Sequence, residues 1–319
     1  MNNVLEQVNL GKLALVMDQP DVRGISAGYG KVFVNSNIKG THMLNEIISE
    51  KEINRIAMQV ANRMGKEFNA SFPFLEGEIN CKNYIIRVSA FHEYVSPAGT
   101  ELTLRKVTLD NILSKQQMID TNFADSKAIE IMIDYANSGK NIIVIGETGS
   151  GKTQLVKWLS GYIPSEKRII TIEDSMEFQL RHLYPNKNVL EVRVRSDMTY
   201  SEVIAKCLRQ DLQYLLLQEA RGLEVRDLLD GMSNGCTVIT TMHASENIGI
   251  TNRIMQMLQL SENEYASLDT RIHSLVDVVI AVKKVEHSGI QRYLSSITEL
   301  SCPKNKPSEK VIWKNEVIV

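Results

Sequence analysis

This chain contains a complete GxxxxGK[ST] phosphate-binding loop, Gly146-Glu147-Thr148-Gly149-Ser150-Gly151-Lys152-Thr153. The apolar, β-branched residues 141–145 before it predict a short buried strand, and residues 154–163 after it predict a helix. In such a loop the glycines let backbone N–H groups face a phosphate, and the helix N-terminus adds partial positive charge. Lys152 would reach the β- and γ-phosphates, and the Thr153 hydroxyl could ligate Mg²⁺. The strand, loop and helix together predict a nucleoside triphosphate site.

The composition is that of an ordinary globular chain. Its 319 residues suggest about two domains, with 43% hydrophobic residues and a net charge of −2. A chain-wide nucleic-acid binder should carry a strong basic excess, which is absent here. No apolar run approaches the ~18 residues that would span a bilayer, and residues 1–6 do not resemble a signal peptide. We therefore expect a cytoplasmic protein whose membrane contact, if it has one, is peripheral.

The four cysteines do not form a metal-binding pattern. They are scattered along the chain without a CxxC pair, at Cys81, Cys207, Cys236 and Cys302. This spacing argues against a zinc module and favours reduced thiols.

The chain is predicted to contain two domains. Residues 1–117 favour a smaller α+β domain, since strand-like runs flank a helix that opens at a capping box, residues 49–52. The polar segment 118–125 is interpreted as a linker. In residues 126–319 strands alternate with helices, which predicts an α/β fold with a mostly parallel sheet covered on both faces. The apolar residues 311–319 suggest a terminal hairpin at the sheet edge.

Three segments place polar groups at the ends of predicted strands, where ligands of open α/β sheets gather. In the first, residues 171–177, Glu173 or Glu177 could orient water or hold Mg²⁺, although a solvated acidic loop has the same pattern. In the second, the apolar run 214–218 ends at Glu219, as in a Walker B strand. In the third, His243 follows a buried strand and could sense the γ-phosphate, although a lone histidine is more often structural.

The order of these segments resembles the secretion ATPase superfamily, the motors of type II and type IV secretion, conjugation and type IV pili. GETGSGKT, ITIEDSMEF, LRQDLQYLLLQEARG and TVITTMHAS stand in the order of its Walker A, aspartate, Walker B and histidine boxes, and an arginine follows at Arg253. N-terminal residues 18–22, 72–76 and 96–106 also resemble the family's N-terminal domain. The chain is most similar to the tight-adherence (Flp) pilus and VirB-type conjugation motors.

The resemblance implies a RecA-like P-loop core and specific residue roles. Lys152 and Thr153 would hold phosphate and Mg²⁺, and Glu219 would serve the metal through water. Glu173 would be the general base, with Glu177 second. His243 would couple the state of the γ-phosphate to the sheet.

The resemblance also implies that the N-terminal domain supplies arginines to the nucleotide, matching Arg87 and Arg105 here. Strand alternation agrees, because neighbouring apolar residues face away from each arginine. Two exposed strand arginines would give the same pattern. Arg209 and Arg221 are further candidates.

Some residues depart from the family's pattern. Gln218 stands where the residue before the Walker B acid is usually glycine, and its bulk could crowd the metal site. Asp211-Leu212-Gln213 replaces the common Pro-Asp before this strand, and Cys236 replaces a histidine. These changes concern catalytic rate and subfamily more than nucleotide binding.

The expected function is that of a homohexameric, Mg²⁺-dependent ATPase that powers a secretion, conjugation or pilus machine through a membrane-embedded platform protein. No direct nucleic-acid partner is expected. A non-hydrolysing ATP-binding regulator or assembly scaffold is an alternative, which Gln218 makes plausible. A nucleic-acid translocase is another, since helicases share the core, but the net charge and the lack of an aromatic-basic stripe count against it.

Overall fold

The computed structural model describes residues 8–45, 48–81, 84–108, 113–195, 197–245, 249–286 and 289–315. The chain divides into two compact units. Unit 1 comprises Met1–Asn111 with Glu286–Ile290, and unit 2 comprises Ile112–Val285 with Gln291–Val319. In the described ranges, no helix has the length and apolar content to cross a membrane.

Unit 1 is built on an antiparallel sheet with strand order β3-β2-β1-β6-β5-β4. The strands are β1 (Val22–Gly28), β2 (Lys31–Ser36), β3 (Gly40–Met43), β4 (Phe74–Asn80), β5 (Tyr84–Phe91) and β6 (Glu101–Thr108). The strand-like runs of the sequence, residues 31–34, 84–90 and 101–107, correspond to β2, β5 and β6. The sequence prediction misses β1, β3 and β4, where glycines and charged residues weaken the strand signal.

Two helices of unit 1 share one core with the sheet, α1 (Lys12–Met17) and α2 (Glu50–Arg63). Helix α2 begins at the predicted cap, where Ser49 Oγ accepts a hydrogen bond from Glu52 N at 3.3 Å. Its buried face, which includes Ile53, Ile56 and Val60, packs into this core. These residues recur at helical spacing, which is why the sequence predicts the helix.

Unit 2 contains a sheet with strand order β14-β13-β12-β7-β11-β10-β8-β9. The strands are β7 (Ile142–Ile145), β8 (Ile169–Glu173), β9 (Val189–Arg193), β10 (Tyr214–Ala220), β11 (Thr237–Met242), β12 (Val278–Glu286), β13 (Ile290–Ser301) and β14 (Ser308–Lys314). The pairs β12·β7, β7·β11, β11·β10, β10·β8 and β8·β9 are parallel, and β13·β14 is antiparallel.

Helices cover both faces of this sheet. They are α3 (Lys115–Asp120), α4 (Ser126–Asn137), α5 (Lys152–Ser160), α6 (Leu180–Leu183), α7 (Tyr200–Cys207), α8 (Glu224–Ser233), α9 (Ile250–Leu258) and α10 (Tyr265–Leu275). Residues of β7 alternate between two cores: Ile142 and Val144 pack on the side of α4 and α5, and Ile143 and Ile145 on the side of α7 to α10. A strand buried on both faces is continuously apolar. The predicted α/β class is confirmed.

The segment predicted as a linker, 118–125, is folded into unit 2. Helix α3 begins at a capping box in which Ser114 and Gln117 bond each other's backbone. Met118, Phe123 and Ala124 are buried in the α4/α5 core. The polar residues that suggest a linker are on the exposed side of this segment. The few buried apolar residues between them give too weak a pattern to predict a packed helix.

The described C-terminal residues lie at one edge of the sheet. β14 is one strand paired with β13, and residues 316–319 of the predicted terminal hairpin lie outside the described residues. β9, which extends the other edge, has no counterpart in the sequence prediction, because its alternating charged residues obscure a short strand.

Candidate nucleotide-binding site

The phosphate-binding loop joins β7 to α5 at the carboxyl edge of the parallel sheet. Its three glycines have positive φ: 153° at Gly146, 76° at Gly149 and 103° at Gly151. A Cβ on Gly146 would lie 2.3 Å from Val282 O and 2.7 Å from Ser150 Oγ. Both backbone conformation and space therefore require glycine at the start of the loop.

Lys152 is turned into the loop. Its Nζ donates to Gly146 O and Glu147 O, both at 2.9 Å, and lies 3.3 Å from His243 Nδ1. The residue is only 6% exposed, so its charge is held at the base of the loop. This is the position from which a lysine can meet phosphate oxygens.

The sheet register brings His243 and Glu219 to the same edge. Met242 of β11 pairs with Ile145 of β7, so His243 and Gly146 follow side by side, and β10 lies next to β11. His243 Nε2 lies 2.9 Å from Glu219 Oε1. Three predicted site residues, Lys152, His243 and Glu219, are thus brought together.

Arg221 contacts the Glu219 carboxylate through the oxygen that does not face His243. Its Nη2 donates to Glu219 Oε2 at 2.9 Å, and its Nη1 lies 3.4 Å from Asp174 Oδ2. Side-chain exposure falls from 60% at Arg221 to 15% at Glu219, so the carboxylate is shielded while the arginine faces solvent.

These contacts shift the pKa values of both central groups downward. Burial lowers the pKa of His243, and the positive charge of Lys152 adds to the effect. Burial alone would raise the pKa of Glu219, but the hydrogen bond and charge of Arg221, with His243 and Lys152, lower it below its usual value. A neutral imidazole with its proton on Nε2 would face Glu219 and leave Nδ1 to accept from Lys152.

Glu173 lies at the end of β8 and is fully buried. Its Oε2 accepts hydrogen bonds from Glu177 N and Phe178 N, both at 2.7 Å, and Thr171 Oγ1 donates to Oε1 at 3.3 Å. Burial raises the pKa of Glu173 to about 8, against the opposing effect of the backbone hydrogen bonds. Glu173 therefore differs from an acid in a solvated loop.

Gln218 is buried and turned toward the end of β8. Its side-chain amide lies 3.2 Å from both Asp174 Oδ1 and Ser175 O, so its nitrogen is the donor that satisfies both acceptors. The carbonyl of Gln218 accepts a hydrogen bond from Thr241 Oγ1 at 2.8 Å. The side chain that departs from the family's usual glycine thus links the end of β10 to the residues that follow β8, while the bond from Thr241 is to the backbone of Gln218.

Arg87 and Arg105 lie in unit 1 and face each other across β5 and β6 as direct register partners. Arg105 is exposed and Arg87 half-buried, while Ile86, Val88 and Leu104 are buried. The alternation inferred for both strands is therefore observed. On its other side, Arg87 is the register partner of Glu78 on β4.

A comparison of the chain with known protein families agrees with this arrangement of the predicted boxes. The family described as type II/IV secretion system protein matches residues 74–309 of the chain. The chain belongs to this family. Its membership confirms the predicted function class, that of the type II/IV secretion system proteins.

The relatives differ in their sequence identity to this chain and in how much of it they cover. The chain is 27% identical over 312 residues to an uncharacterized protein of Bacillus anthracis, covering 93% of this chain and 69% of that protein. It is 34% identical over 170 residues to the type IV secretion system protein VirB11 of Brucella suis, covering 49% of this chain and 46% of that protein. The solved pilus retraction motor PilT with bound ADP has a TM-score of 0.68 at 19% identity, covering 99% of this chain and 84% of PilT, which concerns the fold.

Two arginines of this secretion-family site have no role assigned from the sequence. Arg253, on α9, contributes to the lowered pKa of His243, and Arg292, on β13, donates from Nε to Gly149 O at 2.7 Å. Arg292 lies 139 residues after the loop motif ends, outside every box. Only the sheet order, with β12 and β13 beyond β7, could have indicated it.

Proposed function

We propose that this chain is a Mg²⁺-dependent ATPase that works as a homohexamer and powers a type IV secretion, conjugation or Flp-like pilus machine. The observation that carries the proposal is the convergence of Lys152, His243 and Glu219 at the carboxyl edge of the sheet. A cation, an imidazole and a carboxylate in contact next to a phosphate loop suit phosphoryl transfer, which depends on positioning and charge stabilisation.

The proposed roles follow from the contacts. The loop from Gly146 to Thr153 would cradle the phosphates, with Lys152 exchanging its contacts to loop carbonyls for phosphate oxygens. His243, held between Lys152 and Glu219, would then register whether a γ-phosphate is present, since Lys152 is its direct neighbour.

The donor set fits Mg²⁺ that arrives with the nucleotide. In the parts of the chain that are described, no group of three His, Cys, Asp or Glu side chains could hold a metal ion alone. The Thr153 hydroxyl and the Glu219 carboxylate, the latter through water, would supplement phosphate ligands, as is usual for Mg²⁺. When bound, Mg²⁺ would neutralise charge that develops on the phosphates.

We propose Glu173 as the general base, with Glu177 as the second candidate. A pKa of about 8 gives a carboxylate enough basicity to take a proton from water near neutral pH. Because the carboxylate is buried and bonded to Glu177 N and Phe178 N, water can reach it only after segment 174–178 moves.

The remaining parts of the proposal rest on family resemblance. Arg87 and Arg105 would close on the nucleotide when ATP binds and release it after hydrolysis. The hexamer would act at the inner face of the cell membrane against a membrane-embedded platform protein. If Arg105→Ala hydrolyses ATP at the wild-type rate, the arginine clamp is wrong.

The experiment that tests the function measures ATP hydrolysis per protomer against protein concentration, with Mg²⁺ and with Lys152→Ala as the blank. A specific rate that climbs and then levels off would support activity that assembly completes. A flat rate above the blank would contradict assembly-dependent activation over that range. ATP binding without turnover would overturn the ATPase and favour the regulator.

A further inference from the structure

Arg292 touches the phosphate-binding loop from a strand that none of the family boxes includes. It lies near the start of β13 and is half-buried. Its Nε donates a hydrogen bond to the carbonyl of Gly149 at 2.7 Å. A hydrogen bond from a charged donor to a backbone carbonyl is stronger than a hydrogen bond between two neutral groups.

The strand order of the sheet places Arg292 beside the loop. β12 pairs in parallel with β7, and Ala281 is the partner of Ile145, the last residue before the loop. β12 continues beyond that point to Glu286, so its carbonyl at Val282 covers Gly146. β13 lies next to β12 and carries Arg292.

The side chain covers the loop from Gly149 to Gly151. The Cδ of Arg292 lies 3.6 Å from the place where a Cβ on Gly151 would stand, and the guanidinium bonds the carbonyl two residues earlier. Gly149 and Gly151 both have positive φ, and glycine is the residue whose backbone is free to adopt the widest range of conformations. A contact at each end of this stretch restricts the two most adaptable peptides of the loop.

The charge of Arg292 lies close to the N-terminus of α5. A cation near a helix N-terminus opposes the helix dipole, and Gly151 is the N-cap of α5. Lys152 adds a second cation one residue later. A polyphosphate would turn both unfavourable placements into favourable ones.

We propose that Arg292 is a positioning residue for nucleotide binding, which holds the Gly149–Gly151 backbone in the shape that receives the α- and β-phosphates of a nucleoside di- or triphosphate. This inference rests on the proposed nucleotide-dependent function and names a residue of the same site. Because Arg292 acts on the loop backbone and not on the γ-phosphate, it should strengthen ADP and ATP binding alike.

The test measures equilibrium Kd values for Mg-ATP and Mg-ADP, together with KM and kcat, on the full chain. Arg292→Met keeps an unbranched stem over Gly151 and removes the donor and the charge. Arg292→Lys keeps a charge that can still reach the carbonyl. Arg271→Met is the matched control, because Arg271 is ion-paired with Asp230 on the surface of α10.

We expect Arg292→Met to raise both Kd values and KM about tenfold, the scale of one hydrogen bond to a charged group, while kcat changes less. Arg292→Lys should recover most of the affinity, and Arg271→Met should match wild type. A melting temperature without nucleotide equal to that of the control would separate this effect from unfolding.

Three results with the Arg292 variants would overturn the inference. Unchanged Kd values in Arg292→Met would remove the role while leaving the ATPase intact. A loss confined to ATP would make Arg292 a γ-phosphate contact. A lowered melting temperature that Arg292→Lys does not restore, with wild-type Kd values, would make it merely structural. If wild type itself binds neither nucleotide, the proposed function fails and the inference fails with it.

Discussion

Glu173 and Glu219 lie at the ends of neighbouring parallel strands, yet their surroundings shift their pKa values in opposite directions. Glu219 is 15% exposed at its side chain and is held by Arg221 and His243, and its pKa is lowered. Glu173 is fully buried and held by backbone N–H groups, and its pKa is raised to about 8. The comparison teaches that cationic partners, and not strand position, decide whether a strand-end acid is ionised.

The largest expected effect concerns Glu173 as a base. Glu173→Gln should lower kcat roughly 10²–10⁴-fold, the range of general acid–base catalysis. In wild type the carboxylate form accumulates as pH rises through about 8, so kcat should rise with pH and level off above that value.

Kcat measured from pH 6 to 9.5 in both proteins checks this, with Glu177→Gln as the matched control on the second candidate. If Glu173→Gln keeps the wild-type rate and pH profile, Glu173 is a structural acid and the base lies elsewhere.

The second prediction concerns folding stability, because the contributions of the two acids should change with pH in opposite directions. Glu173 has a folded pKa of about 8, above its unfolded value, so its contribution to stability is complete at low pH and is lost as pH rises toward and through 8. Glu219 has a lowered pKa, so its contribution is present above its unfolded pKa and is lost only in acid.

Melting temperatures without nucleotide, measured at pH 6 and pH 9, check this difference. Wild type should lose several degrees relative to Glu173→Gln, because about 1 kcal/mol moves the melting temperature of a unit this size by roughly 2–4 °C. Glu219→Gln should show the wild-type difference between the two pH values. Equal behaviour of all three proteins would contradict the contrast.

The smallest expected effect concerns Arg221, the cation that distinguishes Glu219 from Glu173. Arg221→Met should raise the pKa of Glu219, so activity should be lost at a higher pH on the acid side. At neutral pH the change should stay within about fivefold, since Arg221 is 60% exposed and such ion pairs are worth at most about 1 kcal/mol.

Arg221→Lys is the control that keeps the charge. An acid limb that moves equally in Arg221→Lys and Arg221→Met would show that charge is not the cause.

The sequence predicts the convergence of Lys152, Glu219 and His243, because parallel strands end at one edge and the family's boxes each follow a strand. It does not predict the contrast between Glu173 and Glu219. That difference depends on Glu177 N, Phe178 N and Arg221, whose positions result from loop geometry. Periodicity reports which residues are apolar, and it carries no signal for such contacts.

Arg292 and Gln218 show the same limit in another way. Gln218 suggests a crowded metal site because only residue size is visible in the sequence, while its side-chain amide bonds Asp174 and Ser175 just after the neighbouring strand β8. Arg292 reaches the loop through the order β13-β12-β7, in which strands distant in sequence are neighbours. Non-local strand order is the information that a single sequence lacks.

The folded segment 118–125 has a practical consequence for dissecting the protein. Phe123 O accepts a hydrogen bond from Leu294 N at 2.7 Å, and Asp125 Oδ2 accepts one from Trp313 Nε1 at 3.1 Å. A recombinant fragment that starts at residue 126 would strip these supports from β13 and β14, along with the buried Met118. A fragment that retains Ser114 keeps the capping box of α3, so the choice of cloning boundary decides whether β13, which carries Arg292, keeps its hydrogen bond to Phe123.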